Sequence, residues 1–205
     1  MSNKEEHMDL VARVKAIALK PKEEWVKIKA ETTSVSELFT SYAMILAAIP
    51  AVAQFIGFAL IGRRYPFVGF LRMGIGTSLI RAIFFYVMSL VMVYVFALII
   101  NALAPTFGST PNQLNAMKLA VFSMTPGWVA GIFYIIPALG MLAALASLYG
   151  LYVLYLGFAV PMMETPKDKV MAYLAVSIGV VIVLYVIVFL VIGAFFAVGG
   201  VYRPL

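Results

Sequence analysis

The chain has 205 residues, 64% of them hydrophobic and only 12% charged, with a mean hydropathy of +1.03. A soluble domain is about half apolar, so water is excluded as the solvent for most of the chain, and almost nothing after residue 40 is polar enough for a separate soluble enzyme domain. The net charge of +6 does not point to nucleic acid, because seven of the fifteen basic residues precede Glu31, interleaved with acidic ones, and form no basic stripe. The absence of cysteine removes disulfides, thiolate metal sites and cysteine nucleophiles.

From Met8 to Leu19, Leu10, Val11, Val14 and Ala18 fall along one helical face and Glu6, Asp9, Arg13 and Lys20 along the other, a short amphipathic helix. Pro21 suits the first turn of a second helix, with Glu23 and Glu24 near its positive end and Lys27 and Lys29 near its negative end. Trp25 and Ile28 share a face. The pair reads as lying on the membrane surface, where Trp25 anchors at headgroup level and Lys27 snorkels, or as docking onto the end of the chain's own bundle. Ser34-Val-Ser-Glu37 has capping-box spacing and predicts the start of a long helix. Its apolar part runs from Tyr42 to Gly62, with Pro50 as a point for a kink. Further spans are predicted over 82–103, 119–136, 139–163 and 170–198, each long enough for a hydrocarbon core of about 30 Å. The tight, uncharged turn Pro137-Ala-Leu-Gly140 makes the third and fourth a helical hairpin, either crossing fully or re-entrant.

The fold expectation is therefore an all-α integral membrane protein. Residues 1–40 form a cytosolic, charged and amphipathic segment, and residues 41–205 a membrane domain of about five transmembrane helices. No cleavable secretory signal is evident, since the first apolar run follows a long charged stretch. With the N-terminus in the cytosol, the inner side collects the seven early basic residues, Lys118, Lys167 and Lys169, against five on the outer side, as positive-inside bias favours. Arg63, Arg64, Arg72 and Arg81 then lie on or near the outer side, as snorkelling structural residues or as contacts for anionic headgroups.

An embedded enzyme or ion-coupled transporter advertises itself by ionisable groups inside its spans, and none is visible at mid-span in the sequence. His7, the only histidine, sits near the terminus. No catalytic constellation, metal site or cofactor is expected. Gln54, Asn101, Ser123, Thr125, Ser147 and Ser177 are expected to hydrogen-bond between helices. Thr125-Pro126-Gly127 is either a packed kink or a break that frees backbone carbonyls. Tyr149, Tyr152 and Tyr155 form a slowly rotating stripe, read first as packing and second as a ligand wall, while Gly150 and Gly157, seven apart, permit close helix approach.

SMTPGWVAGIFYIIPALG (123–140) and LYGLYVLYLGFAVPMMETPKDKVMAYLAV (148–176) resemble the YIP family, the Ypt-interacting-protein membrane domain, in its short bacterial members. The pattern consists of Thr125-Pro126, a tyrosine-rich fourth span ending Tyr155-Leu-Gly157, a connection with Pro166 and Lys169, and upstream Lys20-Pro21 through Trp25. The resemblance implies five spans and a cytosolic N-terminus. Eukaryotic relatives bind prenylated Rab-type GTPases, but the acidic Asp-Leu-Tyr-Gly-Pro-Leu-Trp-like motif of those relatives is not present here.

The expected function is a non-enzymatic, multi-pass protein of the bacterial inner membrane that organises membrane or protein partners, with contacts at Trp25, Lys27 and Ile28. Expected partners are the bilayer and its anionic lipids, and a second copy or another protein. The rival is a small transporter, channel or lipid-handling protein with a path at Thr125, Pro126, Tyr152, Tyr155 and Gly157.

Overall fold

The computed structural model describes the backbone of residues 9–65, 69–160 and 162–198; His7 lies outside them. Two short helices, α1 (Leu10–Leu19) and α2 (Pro21–Ala30), precede α3 (Val35–Ile61), α4 (Ile75–Leu103), α5 (Gln113–Ala130), α6 (Gly140–Ala159) and α7 (Val170–Val198). Between α3 and α4, β1 (Arg63–Tyr65) pairs antiparallel with β2 (Gly69–Leu71), Arg64 opposite Phe70. The architecture is the expected bundle of about five apolar helices. Four described helices, with the 3-10 extensions of α4 and α5, are long and apolar enough to cross a membrane: 35–61, 75–107, 113–135 and 140–159. α7, apolar over Val170–Leu184, supplies the fifth apolar helix of the bundle.

Local signals explain the helix starts. Asp9 caps α1, its carboxylate accepting from the N–H groups of Val11 and Ala12, and Pro21 opens α2. Ser34 caps α3 by accepting from Glu37 N at 3.0 Å, but the Glu37 carboxylate accepts from Thr33 Oγ1 instead of closing the capping box. α3 runs through Pro50, whose ring packs on Gly131. α4 begins at Ile75, seven residues before the apolar run, so Arg81 lies inside a helix.

α5 is the central element, enclosed by α3, α4 and α6, and its windows are the most buried of the candidate spans. It meets α6 most extensively, and Gly150 and Gly157 both face it. Two connections seal one end of the bundle: Thr110 N donates to Met163 O at 3.0 Å, Ser109 Oγ to Thr165 Oγ1 at 3.0 Å, and Asn115 Nδ2 to Met162 O at 2.9 Å. α1 and α2 dock at this same end.

Candidate functional site

The most elaborate polar constellation among the described residues lies where α1 and α2 meet α5 and α6. The inner stripe of α1 is Leu10, Arg13, Val14 and Ile17, whereas Val11 and Ala18 face outward. This corrects the expected face, and the reason is charge pairing. Arg13, only 8% exposed, is bidentate, with Nη1 donating to the buried Glu24 carboxylate and Nη2 to that of Glu31. Its guanidinium also lies over the Phe122 ring, 5.7 Å from the centroid.

The same rule places α2. Pro21, Glu24, Trp25 and Ile28 form its buried stripe. Trp25 is 1% exposed and its indole N–H donates to Val153 O at 2.8 Å. The ring occupies the space left by Gly157, where any Cβ would overlap both the indole and Leu119. Trp25 and Ile28 thus belong to the bundle's interior and not to a membrane-surface contact; of that expected trio, Lys27 alone is exposed. Burying the indole against apolar spans removes far more apolar area from water than laying it on a polar headgroup layer would.

Lys118, counted from sequence as a residue of a connection, is a fully packed side chain of α5, 2% exposed. Its ammonium donates to Ile28 O and Glu31 O, both at 2.8 Å. It thereby caps the C-terminus of α2, satisfying carbonyls that have no partner within that helix. Arg13, Lys118, Glu24 and Glu31 bring two positive and two negative side chains together, so the cluster is neutral. Charge balance is what permits burial beside apolar spans.

Deeper along α5, Tyr42 OH and Thr125 Oγ1 are 2.8 Å apart, and Phe122 lies edge-on to both Tyr42 and Trp25. Phe122 is therefore the hub on which α1, α2 and α3 meet. Thr125 is used as a packed interhelical bond and α5 continues helical through Pro126, which deprives only Phe122 O of its helical donor and does not break the helix. Tyr149 donates to Ala18 O at 3.0 Å, whereas Tyr152 and Tyr155 point outward from α6, opposite the face carrying Gly150 and Gly157. The five residues of the expected path do not line one passage. A shallow apolar groove of 260 Å³ lies elsewhere, between α3 and α4, lined by Ala48, Ala51, Phe55 and Tyr86.

Ser123 and Ser147 bond within their own helices, to Ala120 O and Ala143 O, rather than between helices. Asn101 Oδ1 and Ser177 Oγ are buried without a partner among the described residues. Arg72 and Arg81 are exposed at the opposite end, with Arg81 stacked 4.7 Å over Phe58; the side chains of Arg63 and Arg64 lie outside the described residues. No three His, Asp or Glu side chains gather as metal ligands among the described residues.

Sequence reasoning missed the charged cluster because it looked for ionisable groups within the spans. The signal was present: Glu24 shares the stripe of Trp25 and Ile28, and Arg13 stands four residues before Ile17.

Residues 15–200 match the family model of the Yip1 domain. The inner membrane protein YohC of Escherichia coli strain K12 is 27% identical over 136 residues, covering 66% of this chain and 70% of its own, and the protein of the same name from Escherichia coli O6:H1, strain CFT073, matches equally. No solved structure matches the chain.

Proposed function

The chain belongs to the Yip1 domain family, and from that premise we propose that it is a non-enzymatic protein of the bacterial inner membrane, its N-terminal helix pair on the cytosolic side organising the membrane or a protein partner. One observation carries this reading. Among the described residues, the ionisable side chains brought into the bundle, Arg13, Glu24 and Lys118, are engaged with one another, with Glu31 and with the C-terminal carbonyls of α2. Groups committed to holding a helix pair in place are not poised to transfer protons or to follow an ion through the bundle.

Charge distribution supports the orientation. The end that bears α1, α2 and Lys118, with the connection holding Lys167 and Lys169, carries more Lys and Arg than the opposite end, and it is that count, not net charge, which marks a cytosolic face. The relatives named as inner membrane proteins support the compartment. The bilayer, its anionic lipids, and a second copy or another protein are the partners this reading calls for.

Native mass spectrometry of the full chain released gently from its own membrane tests the proposal. A defined oligomer, a reproducible protein partner or a set of several bound phospholipids is expected. A monomer carrying one small molecule in a fixed ratio would overturn it in favour of transport.

A further inference from the structure

α6 has 20 residues, about 30 Å of helix, which only matches the thickness of a hydrocarbon core. α1 and α2 lean on its middle and its C-terminal turns: Tyr149, the tenth residue, holds Ala18 O, and Val153 holds Trp25. Tyr149 lies about 15 Å from the end of α6 at the usual rise per residue. The pair therefore lies against the side of α6 and not only on its end.

The outward face of the pair fits that position. Leu19 is 78% exposed, Val11 57% and Val26 59%, an unusual display for short helices already burying one apolar stripe. This face joins the exposed apolar surface of α6, since Tyr149 links Ala18 to the ring of Tyr152, 5.7 Å away, and Leu148 and Tyr152 point outward beside it. Interleaved with these apolar residues are exposed Lys15, Lys20, Lys22, Lys27 and Lys29. Glu24 and Glu31 are drawn inward by Arg13, so the face keeps a positive excess. Lys20 and Lys27 have carboxylates within reach, Glu23 at 3.8 Å and Glu24 at 3.4 Å, while Lys15, Lys22 and Lys29 have none among the described residues.

We infer that the outer face of α1 and α2 is a binding surface for anionic phospholipid: Val11, Leu19 and Val26 enter the acyl region of the leaflet, and Lys15, Lys22 and Lys29 reach up to the lipid phosphates. Long lysine stems make this geometry natural, because the methylenes lie along apolar surface while the ammonium stays at the headgroups. Each lysine near an anionic surface adds to retention, and the attraction weakens with salt. The leaflet named, the cytosolic one, rests on the orientation proposed above; the lipid contact itself does not.

The cysteine-free chain allows a direct test with single variants Leu19→Cys and Lys22→Cys of the full protein, in nanodiscs of phosphatidylethanolamine and phosphatidylglycerol. Labelling by a water-soluble maleimide is expected to be about tenfold or more slower at position 19 than at position 22, as for a side chain in the acyl region beside one at the headgroups. In native mass spectra, replacing Lys15, Lys22 and Lys29 together by Gln is expected to reduce retained phosphatidylglycerol but not phosphatidylethanolamine. Equal labelling at both positions in the nanodiscs overturns the inference. So does protection of position 19 in native membranes alone, which would assign the face to a protein. Labelling of the Lys22→Cys variant from outside intact spheroplasts overturns the cytosolic orientation while leaving the lipid contact standing.

Discussion

The two ends of the bundle are closed by different physics. At the end with α1 and α2, side chains reach over 80 or more residues of sequence to backbone carbonyls: Trp25 to Val153, Lys118 to Ile28, Tyr149 to Ala18. At the other end, backbone meets backbone. Gly57 faces the carbonyls of Tyr134 and Ile135 with no room for a Cβ, and Gly131 lies against Pro50. The first end must dock two separate helices whose termini carry unpaired carbonyls, so it needs donors. The second joins spans already hydrogen-bonded internally and needs only small residues to bring them close. In a membrane protein, polar side chains thus mark where an appended element is seated, and glycines mark where spans touch.

Substitutions at either end sharpen this contrast. Trp25→Ala removes the largest buried anchor of the pair and leaves a cavity by Gly157 and Leu119; a loss of about 3–5 kcal/mol in docking stability is expected, seen as new protease sensitivity in residues 9–31. Gly57→Ala forces a methyl into the carbonyls of the 131–135 segment and should cost about 1–3 kcal/mol, lowering the midpoint of detergent unfolding while α1 and α2 stay protease-resistant. If instead it loosens the helix pair, the two ends are not independent. Tyr42→Phe removes the bond to Thr125 and should cost about 0.6 kcal/mol, the average for such bonds between spans, and no more than about 1.7 kcal/mol, by the same unfolding assay. Lys27→Gln, on the exposed face, should change stability by no more than about 0.5 kcal/mol.

Much of the fold was legible in hydropathy: the spans over 42–62, 82–103, 119–136, 139–163 and 170–198 fall within or close to the helices observed, because about 20 apolar residues per crossing is a strong constraint. The start of α4 was less so, since Ile75 to Arg81 is polar enough to read as a connection although it is helical. The family resemblance drawn from 123–140 and 148–176 agrees with the Yip1 domain match. The seating of α1 and α2 was only half legible. Trp25 and Ile28 on one face were visible, but whether that face meets lipid or protein depends on Gly157, Phe122 and Lys118, about a hundred residues away in sequence. Arg13 misled for the same reason. An arginine on a short helix reads as solvated until its carboxylates, on a different helix, are seen to turn toward it.

The central claim, that the N-terminal helices are an integral, buried part of the membrane bundle, is tested most directly by hydrogen exchange of the full chain in lipid nanodiscs. Amides of α1 and α2 are expected to exchange orders of magnitude more slowly than those of a free peptide, approaching the protection of the start of α5, because opening them requires undoing the Arg13 and Lys118 contacts. Exchange of residues 10–30 at the rate of an unstructured segment, with α5 still protected, would contradict it.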